Sequence, residues 1–254
     1  MSWIGVVDSG VGGLSVWSEL RRVMPHESIL YYADTASCPY GGRGREQIIE
    51  LARRAVGVLL AQGVKIVVVA CNTMTAAAIE TLRAENPTIP FVGMEPAVKQ
   101  AVRHSTSGVV GILATEATLH GDLYRNTKSQ YASQVQVIEV AGRGLVEIVE
   151  RGEVSSPASE ALLRLYIDPM VALGADTLVL GCTHYPFLVP MIERIYGGRL
   201  RLENPAPAVA RRVKNILIER DLSASDQQVA QYHFATSGVA RDLAMLENMA
   251  SSLI

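Results

Sequence analysis

Two stretches of this chain follow one pattern. LAQGVKIVVVACNT at residues 60–73 and VALGADTLVLGCTH at residues 171–184 align without a gap, placing Ala61 on Ala172, Gly63 on Gly174, Val68 on Val179 and Cys71 on Cys182. Each reads as a helix end, a glycine that stops it, a buried β-branched strand, and a cysteine where the strand runs out. A second pair lies upstream: WIGVVDSG at 3–10 resembles VVGILATE at 109–116, with Gly5 on Gly111 and Asp8-Ser9 on Ala114-Thr115. The intervals nearly agree, 66 residues from Gly5 to Cys71 and 71 from Gly111 to Cys182. Any two buried strands look somewhat alike, but paired matches in one order favour a duplicated α/β unit. Ligands of open parallel sheets sit outside the carboxyl ends of the strands. Two such units facing each other would set Cys71 and Cys182 on opposite walls of one cleft.

The rest of the chain supports a parallel α/β fold, in which short β-branched runs alternate with helical periodicity. Strands are expected at 4–7, 29–33, 66–70, 91–93, 109–113, 135–140, 177–180 and 232–236. Helices are expected at 14–24, 45–62, 75–85, 97–104, 119–130, 145–150, 157–173, 186–196 and 205–220. The clearest is 45–62, where Ile48, Leu51, Ala52, Ala55, Val58 and Leu59 recur at steps of three and four.

Charge excludes some functions. A net charge of −2 with 23 basic and 25 acidic residues leaves no basic stripe for nucleic acid or an anionic membrane. Apolar runs such as Ile66–Cys71 fall far short of the roughly 20 residues a bilayer span needs. The N-terminus enters a strand-like run with no basic leader, and the three cysteines have no disulfide spacing. A reducing, cytoplasmic setting is therefore expected.

Four loops that follow strand ends are rich in polar residues: DSGVGGLSV (8–16), ADTASCPYGGRGRE (33–46), ACNTMTAAAI (70–79) and GCTHYPFLVP (181–190). A cysteine between a strand end and a helix start lies near backbone N–H groups and a helix dipole, both of which lower a thiol pKa. Asn72, Thr73, Thr75 and Thr183 supply neutral donors and acceptors suited to a zwitterion or carboxylate. Asp8-Ser9-Gly10-Val11-Gly12-Gly13 is a poor phosphate loop, because its spacing is not G-x-G-x-x-G and an acid occupies the anion position. Its glycines permit close approach, and Asp8 can hold or deprotonate a partner. Cys71, Cys182, His184 and Asp8 could be written as a zinc set, yet neither C-x-x-C nor H-E-x-x-H occurs. None of the four lysines stands in a loop that argues for a Schiff base.

Two opposed thiols suit inversion at a carbon centre, which takes a proton from one face and delivers one to the other. A nucleophilic-cysteine hydrolase would leave the second thiol unexplained. Three classes stay open on the residues alone: a racemase, a non-catalytic amino-acid-binding protein on the same scaffold, and a metal-dependent hydrolase.

DSGVGGLSV, ADTASCPYGGR, ACNTMTA, GMEPAV, GILATEAT and GCTHYP stand in one order along almost the whole length. In these motifs the chain resembles the cofactor-independent glutamate racemases. The related aspartate racemases share both cysteines but usually open with G-G-x-G-P and carry Glu where His184 stands. The resemblance implies no cofactor and no metal, with Cys71 removing the α-proton of D-glutamate and Cys182 that of L-glutamate. It implies Asp8 assisting near Cys71, His184 near Cys182, and Glu150 behind His184. Substrate contacts would come from Ser9, Tyr40, Gly41, Asn72, Thr73, Thr115, Thr118 and Thr183.

The implied architecture is two pseudo-twofold-related parallel-sheet α/β domains with the active site in the cleft between them. One comprises residues 1–96 with about 206–222, and the other 97–205 with about 223–254. The implied role is cytoplasmic supply of D-glutamate for peptidoglycan, glutamate being the partner molecule and a homodimer an admissible assembly. Three features depart from the family pattern: Glu203-Asn204-Pro205, Ala141-Gly142-Arg143, and the additional thiol of Cys38 two residues before Tyr40.

Overall fold

The computed structural model describes residues 2–253. Nine strands form two all-parallel sheets among the described residues. The strands are β1 (Ile4–Asp8), β2 (Ile29–Ala33), β3 (Ile66–Val69), β4 (Phe91–Gly93), β5 (Val109–Ala114), β6 (Gln136–Ala141), β7 (Thr177–Gly181), β8 (Arg201–Glu203) and β9 (Tyr232–Thr236). The first sheet runs β4-β3-β1-β2-β9 and the second β6-β5-β7-β8. Read from its other edge, the second is β8-β7-β5-β6, the same winding as β4-β3-β1-β2.

The register repeats as well. Gly5 of β1 lies against Val67 of β3, and Gly111 of β5 against Leu178 of β7. In each unit the cysteine is the fourth residue beyond that partner. Gly63 and Gly174, which end the preceding helices, both take positive φ, +67° and +91°. Left-handed backbone costs glycine least. The two-unit α/β reading therefore holds, and the internal likeness extends to strand order and register.

The C-terminal segment corrects one expectation. The resemblance places residues from about 223 to 254 in the second unit, but β9 hydrogen-bonds to β2 at the edge of the first sheet. The reason is an exposed edge that would otherwise stay unpaired. Tyr232 and Phe234 also pack their rings on Trp17, with centroids 5.4 Å away in each case. A buried ion pair anchors the approach: Lys65 Nζ lies 2.6 Å from Glu27 Oε2 and donates to Leu222 O, while Ala224 N–H donates to Glu27.

Other differences are local. The helix expected at 119–130 is two, Glu116–His120 and Asp122–Tyr131, broken where Gly121 is extended. The helix expected from 75 begins at Asn72, because the Cys71 sulfur accepts from Met74 N–H and caps it. Strand β8 and the C-terminal helix Ala240–Ser252 had no counterpart in the sequence reading. One apolar cluster joins the units, combining Val11, Trp17 and Tyr31 with Ile148, Tyr185 and Leu188. No helix of the described residues is long and apolar enough to cross a membrane.

Candidate active site

Strand ends and helix starts build the site. Asp8 ends β1, and its carboxylate accepts from Gly13 N–H at 2.9 Å and Gly10 N–H at 3.3 Å. Its second oxygen accepts from the Thr183 hydroxyl at 3.3 Å, so this one side chain ties the opening loop to the loop after β7. Ser15 repeats the tie, donating to Thr183 O at 3.1 Å. Cys71 follows β3 and Cys182 follows β7, and both are almost wholly buried, at 5% and 6% exposure.

Each thiol has its own polar partner. The Cys71 thiol lies 3.7 Å from Ser9 Oγ and also caps the helix behind it. The Cys182 sulfur lies 3.7 Å from His184 Nδ1. The other ring nitrogen of His184 meets Glu150 Oε1 at 2.5 Å, and that same oxygen accepts from Val11 N–H at 2.8 Å. Glu150 ends the helix Leu145–Glu150, so a residue far from the repeated strands completes the Cys182 side. Cys71 with Ser9, and Cys182 with His184 and Glu150, thus form two hydrogen-bonded groups, and Asp8 ties together the loops that carry Ser9 and Cys182.

Close approach of the units depends on two glycines. A Cβ on Gly10 would fall within the Glu150 carboxylate, and one on Gly12 within the His184 ring. Only a residue without a side chain lets the backbone of the 8–13 loop press this tightly.

The electrostatics are lopsided. For His184, burial alone would push the imidazole pKa down. The sulfurs of Cys182 and Cys38 and the Glu150 carboxylate outweigh it, and hold the pKa well above the ordinary histidine range. Glu150 is the converse: burial pushes it up, but His184 and Val11 N–H leave it below its ordinary value. The pair therefore sits as imidazolium and carboxylate.

Cys71 goes the other way. Burial, then the Asp8 carboxylate, drive its thiol far up, and the Met74 N–H does not offset them. The lowered thiol pKa expected from the helix start does not hold at Cys71: the N–H contact is present, but burial is stronger. Burial also raises Asp8 above its ordinary value, against the pull of His184 and the Gly13 N–H.

The predicted substrate contacts line the seam. Thr73 and Thr115, one from each unit, share a hydrogen bond of 2.8 Å, and Thr115 shares another of 2.8 Å with Thr118. The Gly41 carbonyl accepts from Ala117 N–H, which carries the 33–46 loop onto the second unit. Among the described residues, the buried Asn72 Oδ1 has no hydrogen-bond partner. Tyr40 is placed differently from a free hydroxyl contact: its OH donates to Asp34 Oδ2 at 2.6 Å.

Sequence reasoning missed Asp34, which also accepts from Ser237 Oγ at 2.5 Å and so pins the loop to the C-terminal segment. Its position directly after β2, next to the Ala33 that pairs with Asp8, was the available signal. Cys38 was read as an extra thiol, and it stands beside His184 and Glu150. Burial pushes that thiol up to about 11.

Known proteins resemble the chain as a whole. The model for the Asp/Glu/Hydantoin racemase family matches residues 14–212. A glutamate racemase of Roseiflexus sp. (strain RS-1) is 52% identical over 219 residues, 86% of this chain and 80% of that one. The structure of Escherichia coli glutamate racemase with L-glutamate and the activator UDP-MurNAc-ala superposes with a TM-score of 0.86 at 29% identity, covering 99% of this chain and 95% of that one. That of Francisella tularensis glutamate racemase with D-glutamate gives 0.85 at 27%, covering 99% and 94%.

Proposed function

The chain belongs to the Asp/Glu/Hydantoin racemase family, among its glutamate racemases, and from that premise we propose a two-thiol interconversion of L- and D-glutamate. The observation that carries this reading is the register-matched pair of cysteines at the ends of β3 and β7. Racemisation in both directions needs acid and base of equal standing on opposite faces of Cα, and a repeated unit provides one on each wall.

In the L-to-D direction, the Cys182 thiolate takes the α-proton, leaving an electron pair on Cα that the adjoining carboxylate delocalises. The Cys71 thiol then delivers its own proton to the other face. One C–H bond breaks and one forms, with no change of oxidation state. The charge pattern suits this starting state. The raised pKa of Cys71 keeps its proton in place, while the imidazolium of His184 stabilises negative charge at Cys182. In the reverse direction Cys71 must ionise beside Asp8, and the substrate ammonium supplies positive charge there.

Asn72, whose buried Oδ1 is unpartnered among the described residues, accepts from that ammonium. Ser9, Gly41, Thr73, Thr115, Thr118 and Thr183 offer N–H and O–H donors to the two carboxylates, with Tyr40 closing the wall behind them. The cellular role is cytoplasmic provision of D-glutamate for peptidoglycan.

The test is circular dichroism of L- or D-glutamate with metal-free, cofactor-free protein. Both enantiomers should converge on an equal mixture, and aspartate should turn over far more slowly. Preference for aspartate overturns the substrate, while activity lost to a chelator and restored by zinc overturns the mechanism. Rescue of a D-glutamate auxotroph checks the cellular role.

A further inference from the structure

Cys38 moves no proton in the racemisation just described, yet its sulfur is not isolated. Sγ of Cys38, a carboxylate oxygen of Glu150 and a ring nitrogen of His184 lie within 4.8 Å of one another. They come from three separate segments: the loop after β2, the end of the helix Leu145–Glu150, and the loop after β7. A thiolate, an imidazole and a carboxylate together form a donor set that zinc and its soft neighbours accept. Magnesium and calcium prefer oxygen alone. Tetrahedral zinc holds such donors about 2.0–2.3 Å from the metal, so the three groups need only draw together slightly around an ion.

Access is also built in. Cys38 and Glu150 line an open cavity of about 280 Å3 together with Thr35, Pro39, Val146 and Glu147. An ion can arrive there without passing the buried thiols of Cys71 and Cys182. Three protein ligands leave the fourth position to water from that cavity.

We propose that Cys38, Glu150 and His184 form a regulatory site for a thiophilic divalent cation of the zinc type, whose occupation switches the enzyme off. The Cys38 thiol gives its proton to solvent as the S–metal bond forms, with no redox change. His184 and Glu150, once on the metal, no longer form the charged pair that supports Cys182. The metal therefore acts on the catalytic thiol through its positioning partners.

Cobalt(II) serves as the spectroscopic probe, since a Co–thiolate bond gives a near-ultraviolet charge-transfer band. Wild-type protein should develop that band with one equivalent of Co2+. Cys182→Ser should retain it and Cys38→Ser should lose it. Zinc should inhibit wild-type racemisation reversibly, and Cys38→Ser, measured against its own zinc-free rate, should need about tenfold more zinc or beyond for half-inhibition. No band at stoichiometric cobalt, or a band that survives Cys38→Ser and vanishes in Cys182→Ser, overturns the site. Equal zinc sensitivity of wild type and Cys38→Ser overturns the switch. Only the inhibition measurement rests on the racemase reading; the cobalt titration stands without it.

Discussion

Asp8 meets different demands from folding and from chemistry. Its carboxyl pKa is raised, with burial the largest cause. A carboxyl raised in the fold adds stability below its unfolded pKa, about 3.9, and loses it as pH rises through the folded value. At neutral pH Asp8 therefore costs stability that its hydrogen bonds only partly return. Asp8→Asn should raise Tm at pH 7 more than at pH 3.5, while racemisation falls; an equal or opposite shift at the two pH values contradicts this.

The His184–Glu150 pair has the opposite signs. Glu150, lowered, contributes above its unfolded pKa of about 4.3, and loses this as pH falls through its folded value. His184, raised, contributes fully below about 6.5 and loses this as pH rises through its folded value. Glu150→Gln should thus flatten the loss of Tm on the alkaline side, and an unchanged slope there argues against the pair. The two reactive cysteines were legible because they recur in matched strings. The raised pKa of Cys71 was not, since its largest cause, burial, belongs to the fold.

At the scale of elements, the loop after β1 is the tightest joint between the units. Alanine at Gly12 would collide with His184, which is 2% exposed and held on both ring nitrogens. Overpacking of this kind costs about 1–3 kcal/mol, and it displaces the group that supports Cys182. Gly12→Ala should lose activity and melt several degrees lower. Gly57, mid-helix with nothing near its missing Cβ, is the control: Gly57→Ala should gain about 0.5–1 kcal/mol by helix propensity. If both variants behave alike, close packing at Gly12 is not the reason for its glycine.

Short apolar and aromatic strands bounded by polar residues, such as β2 and β4, were readable to the residue. β8 was not, because its Arg-Leu-Glu presents a single apolar side chain at a sheet edge. The break at Gly121 was not readable either, because it lies in a residue whose extended backbone only the fold reveals.

At the scale of the molecule, the two sheets share one apolar cluster, and their polar seam closes over both thiols. A ligand that bridges the seam binds the assembled state alone, so glutamate at about 100 times its Kd should add ~2.7 kcal/mol of stability. A matching rise in Tm that aspartate does not give would support a glutamate-fitted cleft. The winding of the two units was legible from the duplicated strings. The return of the C-terminal segment to the first sheet was not, because pairing of β9 with β2 depends on which edge lies open.

In a two-thiol racemisation these units hold two different protons on opposite faces of one carbon. Racemisation started from a single enantiomer in D2O tests it most directly. Product formed early should carry deuterium at Cα while unreacted substrate stays protiated, because the proton taken by one thiol is not the one returned by the other. Replacing either thiol should cut racemisation by about 100-fold or more, with Cys182→Ser keeping exchange from D-glutamate and Cys71→Ser keeping it from L-glutamate. Substrate that gains deuterium as fast as product forms, or two variants that lose the same face, would contradict the two-thiol account.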